Sequence, residues 1–168
     1  MRVALAALVL VASVLVSACG PGISGGPTMN NHVGTQEDES APAIQSNDVM
    51  ARDAVTRSAK VKHILISWKD LADSFDGRLD ARAAKRTRAE ADALAAKLLE
   101  RVRAGEDMDA LMAEFSEDPG SKATGEAYTV TPDAQYVFEF KRMGLRLGVG
   151  EAGLVLSQFG WHVMKRVE

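Results

Sequence analysis

Apolar and polar residues divide the chain into three stretches. Residues 3–16 are almost unbroken in apolar character. Over residues 20–58 the pattern dissolves: 25 of these 39 residues are Gly, Pro, Ser, Thr, Asn, Gln, Asp or Glu and none is aromatic. So little apolar surface cannot offset the entropy of ordering, and a flexible linker is expected, with room for a helical turn or two at its end around NDVMARDAVTRSA. Periodicity returns near residue 59. In KVKHILIS (60–67), Val61, Ile64, Leu65 and Ile66 predict a short strand. Residues 69–88 are polar, with a basic cluster from Arg82 to Arg88. A helix follows in AEADALAAKLLERVRAG, where Ala91, Leu94, Ala95, Leu98 and Val102 share one face and Gly105 is placed to end it. In DMDALMAEFS, Met108, Leu111, Met112 and Phe115 repeat the device at i, i+3, i+4 and i+7. SEDPGSKATGEA reads as a turn-rich loop. TPDAQYVFEFKRMG predicts a helix capped by Thr131, opened by Pro132 and stopped at Gly144, with Tyr136, Val137, Phe140 and Met143 along one side. GLVLS and WHVMKRV, joined by QFG, read as a closing hairpin. Strand, helices, strand, strand is the order of an α+β domain with helices on a small, mainly antiparallel sheet.

The amino-terminal run changes how the chain is placed. Arg2 precedes it and small residues lead to Cys19, the form of a secretory signal rather than a spanning helix. Val16-Ser17-Ala18-Cys19 resembles a bacterial lipobox, which puts cleavage before Cys19 and makes it the lipidated terminus. The expected organisation is a signal peptide over 1–18, a lipidated cysteine and linker over 19–58, and a folded domain over 59–168. As a flexible chain the linker would span roughly 35 Å. The anchor would face the periplasm, and nothing marks Gly20 as an inner-membrane retention signal, which favours the outer membrane. Cys19 is the only cysteine, so the mature chain has no disulfide and no thiolate metal site. The formal charge of −3 moves to −4 once Arg2 leaves with the signal. That weak acidity argues against nucleic acid as a partner. His32, inside the linker, is expected to be exposed and idle.

Most familiar motifs can be set aside. GVGEAG (148–153) fits G-x-G-x-x-G, but it follows a helix and precedes a strand, the reverse of what a dinucleotide site needs. Phosphate-binding loops, H-E-x-x-H and G-x-S-x-G are absent. Two histidines outside the linker are too few for a zinc site unless carboxylates join them, so neither metal nor cofactor is expected. What remains is the histidines themselves. His63 shares a strand face with Val61 and Leu65, whereas Ile64, Ile66 and Trp68 alternate to the other side. His162 sits between Trp161 and Val163 in the last strand. Each could be a satisfied core side chain. If the first and last strands lie side by side, they form a pair, and burying two imidazoles without purpose is costly.

VKHILIS, AEADALAAKLLERVRAGEDMDALMAEFSEDPGS, GVGEAG and SQFGWHVMKRVE closely resemble the parvulin family of peptidyl-prolyl cis/trans isomerases, over nearly all of residues 60–168. The resemblance implies a four-stranded antiparallel sheet with about four surrounding helices. It implies that His63 and His162 are the paired central histidines and that Asp118 takes the place of an active-site cysteine or aspartate. It further implies that Tyr136 and Phe140 form the proline pocket, with Ser157 and Phe159 beside the second histidine. Two departures stand out. The family's Gly-Gly-Asp-Leu-Gly segment is here TGEAYTV (124–130), with Ala127 where a pocket leucine is expected, and EAGLVLS lacks the usual proline and is one residue short.

Isomerising an Xaa-Pro bond breaks no bond, so it needs no strong acid, base or metal. It needs an apolar pocket and hydrogen-bonding groups that favour the twisted amide. The expected function is isomerisation of Xaa-Pro segments in unfolded or exported proteins, performed from a lipid anchor at Cys19. The alternative is a non-catalytic chaperone or proline-peptide-binding lipoprotein with a degenerate fold. For Arg78, Arg82, Lys85, Arg86 and Arg88 two readings stand: a solvated face, or a site for acidic residues before proline.

Overall fold

The structure, a computed structural model, describes residues 43–168. The apolar leader, Cys19, His32 and residues 20–42 of the expected linker lie outside the described residues.

Four strands form one antiparallel sheet: β1 (Ala59–Ile66), β2 (Tyr128–Val130), β3 (Ala152–Ser157) and β4 (Gly160–Arg166). Their order is β2-β1-β4-β3, so the first and last strands are central neighbours. The register pairs His63 with Met164 and Leu65 with His162. Alternation along the strands then sorts the side chains. Ile64, Ile66, Leu154, Trp161 and Val163 join one buried cluster with α2 (Arg88–Arg103) and α3 (Met108–Phe115). Val61, Val155 and Met164 join a second with Val130, Phe140 and Met143.

Local chemistry explains the helices. Thr87 and Glu90 form a reciprocal capping box at the start of α2, and Asp107 caps α3 through the amides of Asp109 and Ala110. The β3–β4 turn closes at Gly160 (φ 122°), where a Cβ would lie 2.5 Å from the Ile66 carbonyl oxygen, so only glycine fits. No helix among the described residues is long and apolar enough to cross a membrane.

The elements differ from the sequence reading in four places. The expected loop after α3 contains a short helix, α4 (Pro119–Thr124), capped by Asp118 with Pro119 at its first position. The pattern also passed over β2, which pairs with β1 through Ala59↔Val130, Lys60↔Thr129 and Val61↔Tyr128. The helix expected from Thr131 begins only at Phe138 (α5, Phe138–Gly144). Residues 131–137 use their amides in turns, Ala134 N to Thr131 O and Tyr136 N to Ala134 O. Val137, at ψ 150°, cannot carry a helix through.

The fourth difference lies at the boundary expected at residue 59. A helical turn, α1 (Asn47–Met50), packs Val49 and Met50 into the second cluster. Ser46 N donates to Leu154 O and Ser46 Oγ accepts from Leu154 N, both at 2.9 Å, while Gln45 Oε1 accepts from Leu156 N at 3.2 Å. These groups satisfy the outer edge of β3, which would otherwise offer a pairing template. The stretch reads as linker because its few apolar residues show no period. Two of them are enough to fix it to an existing core.

Candidate functional site

Adjacent central strands bring the two histidines together. Their rings lie 5.3 Å apart between centroids, with Nδ1 facing Nδ1 at 3.3 Å. Phe140 presents a near-perpendicular ring to both, at 5.0 and 5.4 Å. The outer nitrogens are also engaged. His162 Nε2 lies 2.7 Å from Ser157 Oγ, and His63 Nε2 lies 3.4 Å from Asp118 Oδ2. Above this floor is a cavity of about 260 Å³ walled by Tyr128, Tyr136, Val137, Phe140 and Phe159, with Asp118 at its side.

The charges of the site follow from burial and donors. His162 is enclosed, and burial, with the neighbouring His63, pushes its pKa down to about 3. Burial alone would push the Asp118 carboxyl up. Donors outweigh it: His63, the Ser121 amide (2.8 Å) and the Tyr128 hydroxyl (2.8 Å) hold Asp118 well below the usual carboxylate range. The Tyr128 phenol is pushed up in turn, by burial and by the carboxylate it serves. At neutral pH His162 is therefore neutral and Asp118 ionised.

For a pair of neutral rings beside an ionised Asp118, one proton order satisfies every contact. Asp118 accepts from Nε2–H of His63. The Nδ1 of His63 then accepts from Nδ1–H of His162, whose Nε2 accepts from the Ser157 hydroxyl. Ser157 Oγ in turn accepts from Phe159 N at 3.1 Å. The chain runs in one direction from the hairpin turn to Asp118.

His63, Asp118, His162, Tyr136, Phe140 and Phe159 thus meet around one cavity. Ser157 lies behind it, on His162, so its side chain orders the imidazole rather than facing a ligand. Cys19 lies outside the described residues. Ala127 does not line the pocket; the wall that a leucine was expected to fill is made by Tyr128, which follows it. The signal for Tyr128 is its place opposite Val61, two residues from His63, which puts it on the histidine face of the sheet.

A second set of groups holds the site from below. The buried Glu117 carboxylate accepts from Ser67 N (2.7 Å) and Arg86 (2.6 Å), and Arg86 also donates to Ser67 O (2.8 Å). Burial pushes the Glu117 carboxyl up against these donors. Ser67 Oγ donates to Phe159 O at 2.6 Å. Arg82 is likewise engaged, with the carbonyls of Glu114 and Ser116 and with Asp80. Arg86 therefore differs from the solvated face read in the sequence, because the chain after β1 folds back and turns its guanidinium inward, whereas Arg82 stays exposed while bonding those groups. Among the described residues no group of three or more His, Cys, Asp or Glu is spaced to hold a metal ion.

The sequence matches the family model of the PpiC-type PPIase domain over residues 47–168. It is 36% identical over 118 residues to the chaperone SurA of Pseudomonas aeruginosa, covering 69% of this chain and 24% of that protein. It is 28% identical over 130 residues to foldase protein PrsA 4 of Bacillus cereus, covering 73% and 45%. Among solved structures it is similar to the peptidyl-prolyl isomerase ESS1 from Candida albicans. There the TM-score is 0.56 and the identity 22%, with 67% of this chain and 63% of that one covered, a likeness of fold. The chain spans between about a quarter and half of the length of these curated relatives.

Proposed function

The chain belongs to the PpiC-type peptidyl-prolyl isomerase family, and from that premise we propose that it is a parvulin-type cis/trans isomerase acting on Xaa-Pro segments. The observation that carries this reading is the Ser157–His162–His63–Asp118 chain under an aromatic cavity of about 260 Å³. The uncatalysed barrier, about 18–20 kcal/mol, comes from amide resonance. A thousandfold acceleration removes about 4 kcal/mol of it, within reach of positioning alone. Tyr136, Phe140 and Phe159 grip the prolyl ring and exclude water. The floor keeps its polar groups aimed without reorganising as the amide twists. His162 stays neutral, so it offers an ordered dipole and not a proton.

The setting completes the proposal. The amino-terminal run and the lipobox-like Val16-Ser17-Ala18-Cys19 support export and a lipid anchor at Cys19, facing the periplasm, with the outer membrane favoured. Relatives named as a chaperone and a foldase support a role in folding exported proteins.

NMR exchange on Xaa-Pro peptides with catalytic amounts of the full chain tests the reading. Acceleration that disappears in a folded His63→Ala, His162→Ala double variant supports it. A folded wild-type chain that accelerates none of the peptides rejects catalysis and leaves a peptide binder.

A further inference from the structure

Tyr128 stands out because its hydroxyl is spent inside the site. Three donors converge on Asp118 Oδ2: the Tyr128 hydroxyl at 2.8 Å, the Ser121 amide at 2.8 Å and His63 Nε2 at 3.4 Å. The Ser121 bond is the ordinary N-cap of α4 and would form without a functional site. The Tyr128 bond has no such local reason. It crosses from β2 to the residue before α4 and falls on the oxygen that faces His63.

A second observation concerns the space this hydroxyl occupies. A Cβ at Gly120 would lie 2.5 Å from Tyr128 Oη and 3.4 Å from Asp118 Oδ2. Gly120 is not among the glycines with positive φ, so its backbone does not call for glycine. Nor does its position inside α4, where alanine is favoured by helix propensity. What residue 120 gains by lacking a side chain is room for the tyrosine hydroxyl.

The groups facing the carboxylate complete the picture. From β1 comes His63, with His162 of β4 behind it. From β2 comes Tyr128, whose ring meets Tyr136 edge-on at 5.7 Å and His63 at 5.2 Å. The Asp118 side chain keeps about a quarter of its surface exposed (26%). Without the hydroxyl it is free to turn toward water, because either oxygen can serve the Ser121 amide. The long bond to His63 is the first to be lost.

We propose that Tyr128 is a positioning residue: its hydroxyl, in space left open by Gly120, holds the Asp118 carboxylate where it keeps the His63 proton on Nε2. The proposal rests on the reading of His63 and Asp118 as site groups. The device is specific to a chain that carries Tyr128, with Gly120 beneath it.

The test is the tautomer state of both histidines, read at neutral pH from ring ¹⁵N shifts of the full chain. Wild type is expected to show His63 as Nε2–H and His162 as Nδ1–H. Tyr128→Phe keeps the ring and removes the hydroxyl. Gly120→Ala keeps the tyrosine and displaces its hydroxyl. Each variant should mix the His63 tautomers and lower kcat/KM for Xaa-Pro peptides roughly tenfold to a hundredfold. The double variant should be no worse than the more affected single, because both act on one bond. Unchanged tautomers in a folded Tyr128→Phe chain would overturn the proposal, as would additive losses in the double variant. If wild type isomerises nothing, the enzyme reading fails separately, and the tautomer shifts still decide the role of Tyr128.

Discussion

At His162 the physics of the site is concentrated in one ring. The imidazole is enclosed and accepts from Ser157, so folding selects its neutral form. A folded-state pKa of about 3 against 6.5 for the free side chain has a definite sign. The neutral ring contributes fully above pH 6.5, and the contribution is lost as pH falls from there toward 3. Stability should decline across this window by about 1.4 kcal/mol per pH unit from this group alone. Urea midpoints at pH 7, 5 and 4 read the slope, and His162→Gln should flatten it. Asp118, depressed as well, adds its loss only at lower pH, below the ordinary aspartate range. Ser157→Ala leaves the buried Nε2 acceptor without its partner and is expected to cost about 1–3 kcal/mol, measured in the same titration at pH 7. Much of this site was legible in the sequence. An alternating strand at each end of the domain placed both histidines on apolar strands, and resemblance supplied Asp118, Tyr136, Phe140 and Phe159. Tyr128 was not legible. Its strand has three residues, too few to show a period, and only pairing with β1 reveals which way it faces.

Among the elements, the segment between β1 and α2 departs furthest from its sequence pattern. A run of arginines in a polar stretch has the composition of a water-facing surface. Arg86 instead closes a buried ion pair with Glu117, their side chains 13% and 1% exposed. The pair ties three pieces together: the end of β1 through Ser67, the start of α4 through the neighbour of Asp118, and Phe159 through the Ser67 hydroxyl. Burying two charges is a weak source of net stability, but breaking such a pair leaves one charge uncompensated. Arg86→Met should therefore cost about 3–5 kcal/mol, and adding Glu117→Gln should recover a large part of it. Denaturant unfolding of the two single variants and the double checks this. Recovery of stability without recovery of kcat/KM would locate the pair's contribution in the placing of Asp118 and Phe159. The pattern missed this because periodicity reports which face of an element is apolar and is silent on where a polar loop returns.

For the whole molecule, the question is where the fold begins. A boundary at residue 59 follows from composition, since the residues before it are mostly polar and aperiodic. Packing draws it earlier: Val49 is fully buried, Met50 nearly so, and Ser46 with Gln45 closes the edge of β3. Arg52 adds an exposed ion pair to Glu151, which contributes little by itself. The apolar part decides the magnitude. Burying a valine and a methionine side chain contributes roughly 3–6 kcal/mol together, a large share of the 5–15 kcal/mol by which a domain of this size is stable. A chain starting at residue 59 should therefore unfold well below one starting at residue 43, by more than about 10 °C. It should also tend to associate, because Leu154 and Leu156 would present unpaired amides along an open strand edge. Thermal unfolding and light scattering of the two chains, side by side, separate these effects. Equal midpoints would mean that residues 43–58 rest on the domain without supporting it. A lower midpoint with association restricted to the shorter chain would make the segment before β1 part of the fold, both as core and as the cover of its outer strand.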